Sequence, residues 1–598
     1  MFRALAWPIA AALLTAMPAD AQRTPIVYTL RFPAPQSGYV EVEADVPTDG
    51  RATVELMMAV WTPGSYLVRE FARHVERVTA SGPGGAPLAV TKTAKNRWTV
   101  ETGGASAISV RYGVYCREMS VRTNWVESRF ALLNGAPTFL TLVERRGRPH
   151  EVRVELPPSW PRTVSPLPPA PGGLPHRYLA QDFDTLVDSP LLAGTPAIHE
   201  FTEGGVPHVL AIEGGSGVWD GPRSARDAQE IVKANLRLWG ALPYPRYVFF
   251  NMLTEAGGGL EHANSTVMMT SRWRTGTRKD YLGWLGLVSH EYFHAWNVKR
   301  LRPVELGPFD YEREVHTTSL WIAEGFTDYY DSLMVRRAGL STREEYLEAL
   351  GNSIRELQTT PGRLAMPLSS SSYDAWIKQY RPDENSPNAT VSYYTKGGVV
   401  AFLLDALVRE RTNGARSLDD VMRLAFTRYS GGRGYTQEEF RRTASEVAGA
   451  DLSAWFRSAA DRTDELSYDG ALAWYGVRFK PATPRDDKGW LGAVTRNEGG
   501  RIVVSQVRRG TPAHEAGLNA DDEIVAIGEY RVRADQLDAR LEQYRPGQRV
   551  SLLIARRDEL MRLDVTLGTE PARGWALEVD PEATPEQRAH LAAWLWES

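Results

Sequence analysis

The chain has 598 residues, too many for one hydrophobic core, so several domains are expected. Its 69 Lys and Arg against 73 Asp and Glu leave a formal charge of −4, which gives no electrostatic reason to bind nucleic acid or an anionic membrane surface. Cys116 is the only cysteine, so no intramolecular disulfide can form and the fold must hold by packing; a buried, apolar-like thiol is the expectation for it.

The first 22 residues, MFRALAWPIAAALLTAMPADAQ, place a basic residue before a short apolar stretch and a small-x-small ending, Ala19-Asp20-Ala21. This pattern predicts a signal peptide over 1–21 and export to the periplasm or the medium. Pro8 and the shortness of the stretch argue against a membrane span there, and no later segment is long and apolar enough for one.

From residue 22 to about 215 short alternating apolar runs, such as YVEVEADV and ISVRYGVYC, stand between Gly, Pro and Asp clusters and predict a β-sandwich-like domain. The Pro-rich stretch 156–175 is taken as a loop of that domain. From 216 to about 470 the period becomes helical, as in ARDAQEIVKANLRLWGAL and GGVVAFLLDALVRERT. Residues 483–570 return to strands in a small α/β module, and 571–598 form a helical tail. The fold class is multidomain α+β.

Within the helical region stands SHEYFHAWN, residues 289–297. Residues four apart lie on one helix face, so His290 and His294 can hold one metal ion, with Glu291 beside the first ligand where its carboxylate reaches a metal-bound water. A catalytic zinc needs a third protein ligand and an open position. Arg300 occupies the place of a metzincin's third histidine. The next helical stretch, SLWIAEGFTDYYDSL, supplies Glu324 among apolar residues, where an unpartnered carboxylate would cost several kcal/mol. Glu324 is the chosen ligand over Glu312, Glu314 and His316, and Asp328, four residues on, is a candidate acceptor for the free N–H of a ligand histidine. Such a site activates water for amide hydrolysis, with Glu291 as general base and then general acid.

The combination of HEYFHAWN, WIAEGFTDYY, WTPGSYLVREF (61–71), SVRT (120–123) and a PDZ-like C-terminal module resembles the bacterial glycyl aminopeptidase family of gluzincin zinc metallopeptidases. The resemblance implies one zinc ion per chain, a thermolysin-like catalytic domain and a preference for N-terminal glycine or alanine. A more distant similarity to aminopeptidase N enzymes implies two further roles. Gly258-Gly259-Leu260-Glu261-His262 resembles their G-x-M-E-N segment, so Glu261 is expected to bind the substrate's free α-amine, with Gly258 and Gly259 in the substrate-binding segment and His262 in place of the usual Asn. Tyr394-Thr395-Lys396-Gly397 resembles their Y-x-K-G segment, so Tyr394 is expected to donate to the oxyanion, with Tyr393 the alternative.

The C-terminal module resembles a PDZ domain through TPAHEAGLNADDEIVAIG (511–528) and the turn WLGA (490–493), whose first and last positions depart from G-L-G-F. It can take a peptide C-terminus or pack on the catalytic domain. The predicted function is a zinc aminopeptidase on peptides with free N-termini; an endopeptidase of the same chemistry and a non-catalytic peptide-binding scaffold are the rivals.

Overall fold

The computed structural model describes residues 24–144, 146–482, 487–571 and 574–597. The expected signal peptide, 1–21, lies outside these residues. The chain divides into two compact units, the first comprising residues up to Ser65, Arg69–Ile198 and Ala211–Glu213.

The first unit is β-rich. In the strand Ile26–Arg31 every second side chain is buried, so Ile26, Tyr28 and Leu30 face the core while the residues between them are partly exposed. This strand runs antiparallel to Tyr39–Pro47 and parallel to His150–Glu155 within a seven-stranded sheet. Two four-stranded sheets complete the unit. Buried hydroxyls of Tyr28 and Tyr112 donate to the carbonyls of Leu140 and Thr138 at 2.7 and 3.0 Å, so the aromatic core carries no unpaired phenol at either place. Cys116 is buried one residue past the strand Ala107–Tyr115, and burial pushes its thiol up to about 12.

A five-stranded sheet that the helical periodicity did not reveal belongs for the most part to the second unit. Its order is Ala197–Glu203, Val206–Glu213, Tyr247–Leu253, Ser265–Thr270 and Gly258–Glu261. The first two strands, read from sequence as the end of the β domain, pair in this sheet. Tyr247–Leu253 and Ser265–Thr270 are parallel and buried along their whole length, which removes the alternation that marks a one-sided strand. Gly258–Glu261 pairs antiparallel with Ser265–Thr270 at one end of the sheet order. Helices Arg278–Phe293, Phe326–Arg337, Arg343–Gln358 and Tyr393–Arg411 pack as the core of the unit.

Toward the C-terminus, strands 493–498, 501–507, 523–527, 549–556 and 559–566 form a sheet over a core of Leu491, Ile502, Val504, Ile554, Leu552 and Val565. The segments that enter and leave this module, Val477–Phe479 and Leu577–Val579, pair antiparallel with each other. The expected tail contains the helix Pro585–Leu595, which is embedded: Trp594 Nε1 donates to Tyr329 Oη at 2.8 Å, and Arg337 Nε donates to the Trp594 carbonyl at 3.1 Å. Arg337 also pairs with buried Asp419 at 3.0 Å, whose other donor is Tyr330 Oη at 2.8 Å.

Candidate active site

The helix Arg278–Phe293 is capped at its start by Thr277, whose side chain accepts from the Asp280 N–H. His290 and Glu291 stand on its last turn and His294 is its C-cap, with the two imidazoles 4.8 Å apart and nearly perpendicular. His294 Nδ1 donates to the Asn297 carbonyl at 2.6 Å, which turns Nε2 toward Glu324 Oε2 at 3.2 Å. The His290 ring is oriented in the same sense, with Nδ1 3.5 Å from Asp331 Oδ2 and Nε2 3.7 Å from Glu324 Oε2.

Glu324 sits in a π-helical turn, Trp321–Gly325, that runs into the helix Phe326–Arg337. Such a turn frees carbonyls from the regular ladder and is frequent at functional sites. Here the Asn297 side-chain amide donates to the carbonyls of Ile322 and Ala323, each at 3.0 Å, so one residue ties the histidine segment to the glutamate segment. A crossing of two glycines brings in the helix Tyr393–Arg411: a Cβ on Gly325 would stand 2.5 Å from Gly397 Cα and 2.7 Å from the Tyr393 carbonyl. The first turn of that helix therefore lies against the residue following Glu324.

Ligand atoms of His290, His294 and Glu324 all lie within 4.8 Å of one another, as do those of Glu261, Glu291 and His294. Glu324 is 2% exposed. Burial works to raise its carboxyl, but His294 and His290 outweigh that and hold it at about 2. Burial likewise opposes charge on both imidazoles; Asp331 and Glu324 beside His290, and Glu324 beside His294, prevail and raise both. Two imidazoles with engaged Nδ1 atoms and one buried carboxylate are a donor set suited to a divalent metal.

Burial pushes Glu291 up to about 7, against the two histidines, which pull it down. Its carboxylate occupies the space beside Gly259: a Cβ there would stand 2.0 Å from Glu291 Oε1. Gly258, at φ +104°, takes a backbone that other residues rarely adopt. Glu261 ends the same strand, 4% exposed, and its Oε1 has no hydrogen-bond partner among the described residues. His262 follows it, buried, its N–H donating to the Ser265 carbonyl at 2.8 Å.

Tyr394 lies 6.2 Å, ring to ring, from His290 and stacks on Tyr393 at 4.6 Å. Both phenols are raised well above the ordinary value, first by burial. Tyr394 feels Glu324 next; Tyr393 feels Tyr380 and then Glu324. The structure thus brings both tyrosines to the site. Asp328 is partly buried beside Gly398, where a Cβ would stand 2.9 Å from its Oδ2, and desolvation and Asp331 push it up to about 7.

Two residues of this constellation carried no assignment from sequence. Asn297 was the last letter of the histidine motif, but its role depends on the π turn and on tertiary packing. Asp331, rather than Asp328, is the carboxylate in ion-pair range of His290 Nδ1; seven residues after Glu324, it lies two turns along the same face. The competing ligands lie elsewhere: His316 Nδ1 bonds to the Tyr373 carbonyl at 3.0 Å, and none of Glu312, Glu314 or His316 joins the groups of close ligand atoms among the described residues.

The chain is similar to known families and structures. The M61 glycyl aminopeptidase model matches residues 283–400, the Peptidase M61 N-terminal domain model residues 27–195, and a PDZ domain model residues 476–567. A crystal structure of an aminopeptidase N family protein from Idiomarina loihiensis is 29% identical, covers 95% of this chain and 100% of its own, and superposes with a TM-score of 0.89. Aminopeptidase N of Escherichia coli (strain K12) is 28% identical over 249 residues, 40% of this chain; the match spans a quarter of that protein's length. An M1 zinc metallopeptidase from Deinococcus radiodurans is 16% identical over 74% of this chain and 94% of its own, with a TM-score of 0.45. With the family's two domains in their order along the chain, a PDZ domain behind them and a solved relative matched over nearly the full length, the protein is a peptidase that belongs to the M61 glycyl aminopeptidase family.

Proposed function

We propose that the protein is a zinc aminopeptidase that removes the first residue, preferentially glycine or alanine, from peptides with a free N-terminus. The observation that carries this reading is the buried, unpartnered Glu261 oxygen within reach of Glu291 and His294, next to the His290–His294–Glu324 group. A carboxylate there pairs with an ammonium and favours peptide ends over internal bonds.

His290, His294 and Glu324 would hold the zinc, which when bound supplies a Lewis acid for the scissile carbonyl and for water. Glu291 takes the proton of the attacking water and delivers it to the leaving amine, and a carboxyl raised by burial suits that two-way role. Glu261 anchors the α-ammonium and so fixes which bond lies over the site. The outer edge of Gly258–Glu261, at the end of the sheet order, is available to pair with the substrate backbone. Tyr394 donates to the oxyanion as it forms. The preference for small residues rests on the family description.

Two further parts of the proposal concern setting. The N-terminal sequence pattern supports export. The match to a PDZ domain and the turn Trp490–Ala493, with Gly492 at φ +76°, support capture of a peptide C-terminus by this module.

The test is hydrolysis of free and N-acetylated glycyl, alanyl and leucyl peptides with and without a chelator. Chelator-sensitive release from unblocked glycyl and alanyl peptides alone is expected. Equal cleavage of blocked peptides would make the protein an endopeptidase and refute the role of Glu261.

A further inference from the structure

The PDZ domain is joined to the catalytic domain at a place that bears on the two tyrosines. Asn388 lies in the short helix Ser386–Ala389, 6% exposed. Its Nδ2 donates to the Val507 carbonyl at 2.8 Å and to Asn385 Oδ1 at 3.2 Å, while its Oδ1 accepts from the Arg509 N–H at 2.8 Å. The side-chain amide reads the PDZ backbone on both sides of Arg508, as a neighbouring strand would. Arg508 makes the second grip: its Nη1 donates to the Thr359 carbonyl at 2.8 Å.

Both grips lead to the same helix start. From Asn388 the chain passes Thr390, whose carbonyl is pressed on Gly362 so closely that a Cβ there would stand 1.9 Å away. It then passes Val391, whose carbonyl accepts from Ser371 Oγ, and Ser392, which caps the helix by accepting from the Thr395 N–H at 3.3 Å. Tyr393 and Tyr394 come next. From Thr359 the route is shorter: Glu356, three residues back, accepts from Thr395 Oγ1 at 3.1 Å. On the PDZ side, Arg508 and Arg509 abut the peptide-binding turn. The Arg508 carbonyl accepts from Thr511 Oγ1 at 2.7 Å, Thr511 lies against Gly492, and the Ala513 N–H donates to the Leu491 carbonyl at 2.9 Å.

We infer that Asn388 and Arg508 are positioning residues through which the PDZ domain holds the first turn of the Tyr393–Arg411 helix, and with it the phenols of Tyr393 and Tyr394, in register with the metal-ligand group. The inference rests on the reading of these tyrosines as oxyanion donors. Displacement of a donor by about 1 Å costs up to roughly a hundredfold in rate, so holding a helix start still is a catalytic matter. The contacts form a continuous packed network, and the test is whether they are coupled to turnover.

The experiment uses the full chain, metal-loaded. Asn388→Ala and Arg508→Ala should each lower kcat about tenfold with KM within about twofold, and should speed hydrogen exchange over residues 386–396 without changing the melting temperature of the catalytic transition. Arg508→Lys, which can still donate to Thr359, should retain kcat. Wild-type kcat in both alanine variants overturns the inference, and so does a loss of kcat that Arg508→Lys shares or that comes without faster exchange at 386–396. Tyr393→Phe and Tyr394→Phe are made in parallel. If neither lowers kcat, the oxyanion reading itself fails and takes the inference with it; if Tyr394→Phe is impaired while Asn388→Ala and Arg508→Ala are not, only the inference fails.

Discussion

Gly259→Ala is a one-carbon change that should disable the chemistry while leaving the metal in place. The added Cβ would stand 2.0 Å from Glu291 Oε1, 2.2 Å from its Cδ and 2.5 Å from its Cγ, so the outer half of the glutamate side chain must leave its position. Glu291 is 5% exposed. If the carboxylate moves, its proton transfers are lost, a contribution of roughly 10²- to 10⁴-fold, or about 3 to 5 kcal/mol of barrier. If instead the strand Gly258–Glu261 shifts, Glu261 moves with it and the grip on the substrate amine weakens, which adds a rise in KM. The assay is kcat and KM on an unblocked alanyl peptide, with bound metal measured on the same sample. A loss of at least a hundredfold in kcat/KM with full metal content is expected. Activity within twofold of the parent would show that the carboxylate is not held beside Gly259 during turnover, and the argument from packing would be wrong.

Glu291→Gln should retain metal and lose hydrolysis by about a thousandfold or more, and the parent's kcat/KM should fall as pH drops, with its limb at or below about pH 7, because protonated Glu291 accepts no proton and the metal's charge can only lower it further. A pH profile that keeps this limb in the Gln variant would assign it to another group. Asn297→Ala should weaken metal binding roughly 10- to 100-fold, read by competition with a chromophoric chelator, since it unties the two ligand segments; unchanged affinity would leave Asn297 a merely local cap. Lys396, 2% exposed, is pushed by burial from 10.5 down to about 8, so its proton is disfavoured in the fold. The penalty, about 3 kcal/mol, is fully present below pH 8 and is relieved as pH rises toward 10.5. Lys396→Met should therefore be more stable than the parent at pH 7 in denaturant unfolding, with the gap closing above pH 8; an equal or lower stability at pH 7 would mean the ammonium is better partnered than its burial implies.

What could be read from sequence follows the reach of each interaction. His290, Glu291 and His294 are neighbours on one helix, so local period alone groups them. Glu324 stood out because a carboxylate in an apolar run needs a reason that the run itself does not provide. Glu261 and Tyr394 came from resemblance, and their placement in space needs the strand pairing at Gly258–Glu261 and the glycine crossing at Gly325 and Gly397. Asn297 was overlooked because its partners are carbonyls freed by a π turn, a feature without a periodic signature. Helical spacing pointed to Asp328 and left Asp331 unnamed, while in the structure ligand atoms of both lie within 4.8 Å of one of His290, Asp331 in ion-pair range of Nδ1. The strands Tyr247–Leu253 and Ser265–Thr270 were missed because burial on both faces erases alternation.

The pairing of Val477–Phe479 with Leu577–Val579 makes the PDZ domain a bead on a closed clasp. Its two chain ends leave side by side, while the true end of the core is the helix that seats Trp594 against Tyr329. Loss of the bead's own fold would break the Asn388 and Arg508 contacts while the clasp itself, made by residues outside the bead, stays shut. Such a peptidase would lose its grip on the tyrosines before it lost its fold, a graded failure in place of an abrupt one.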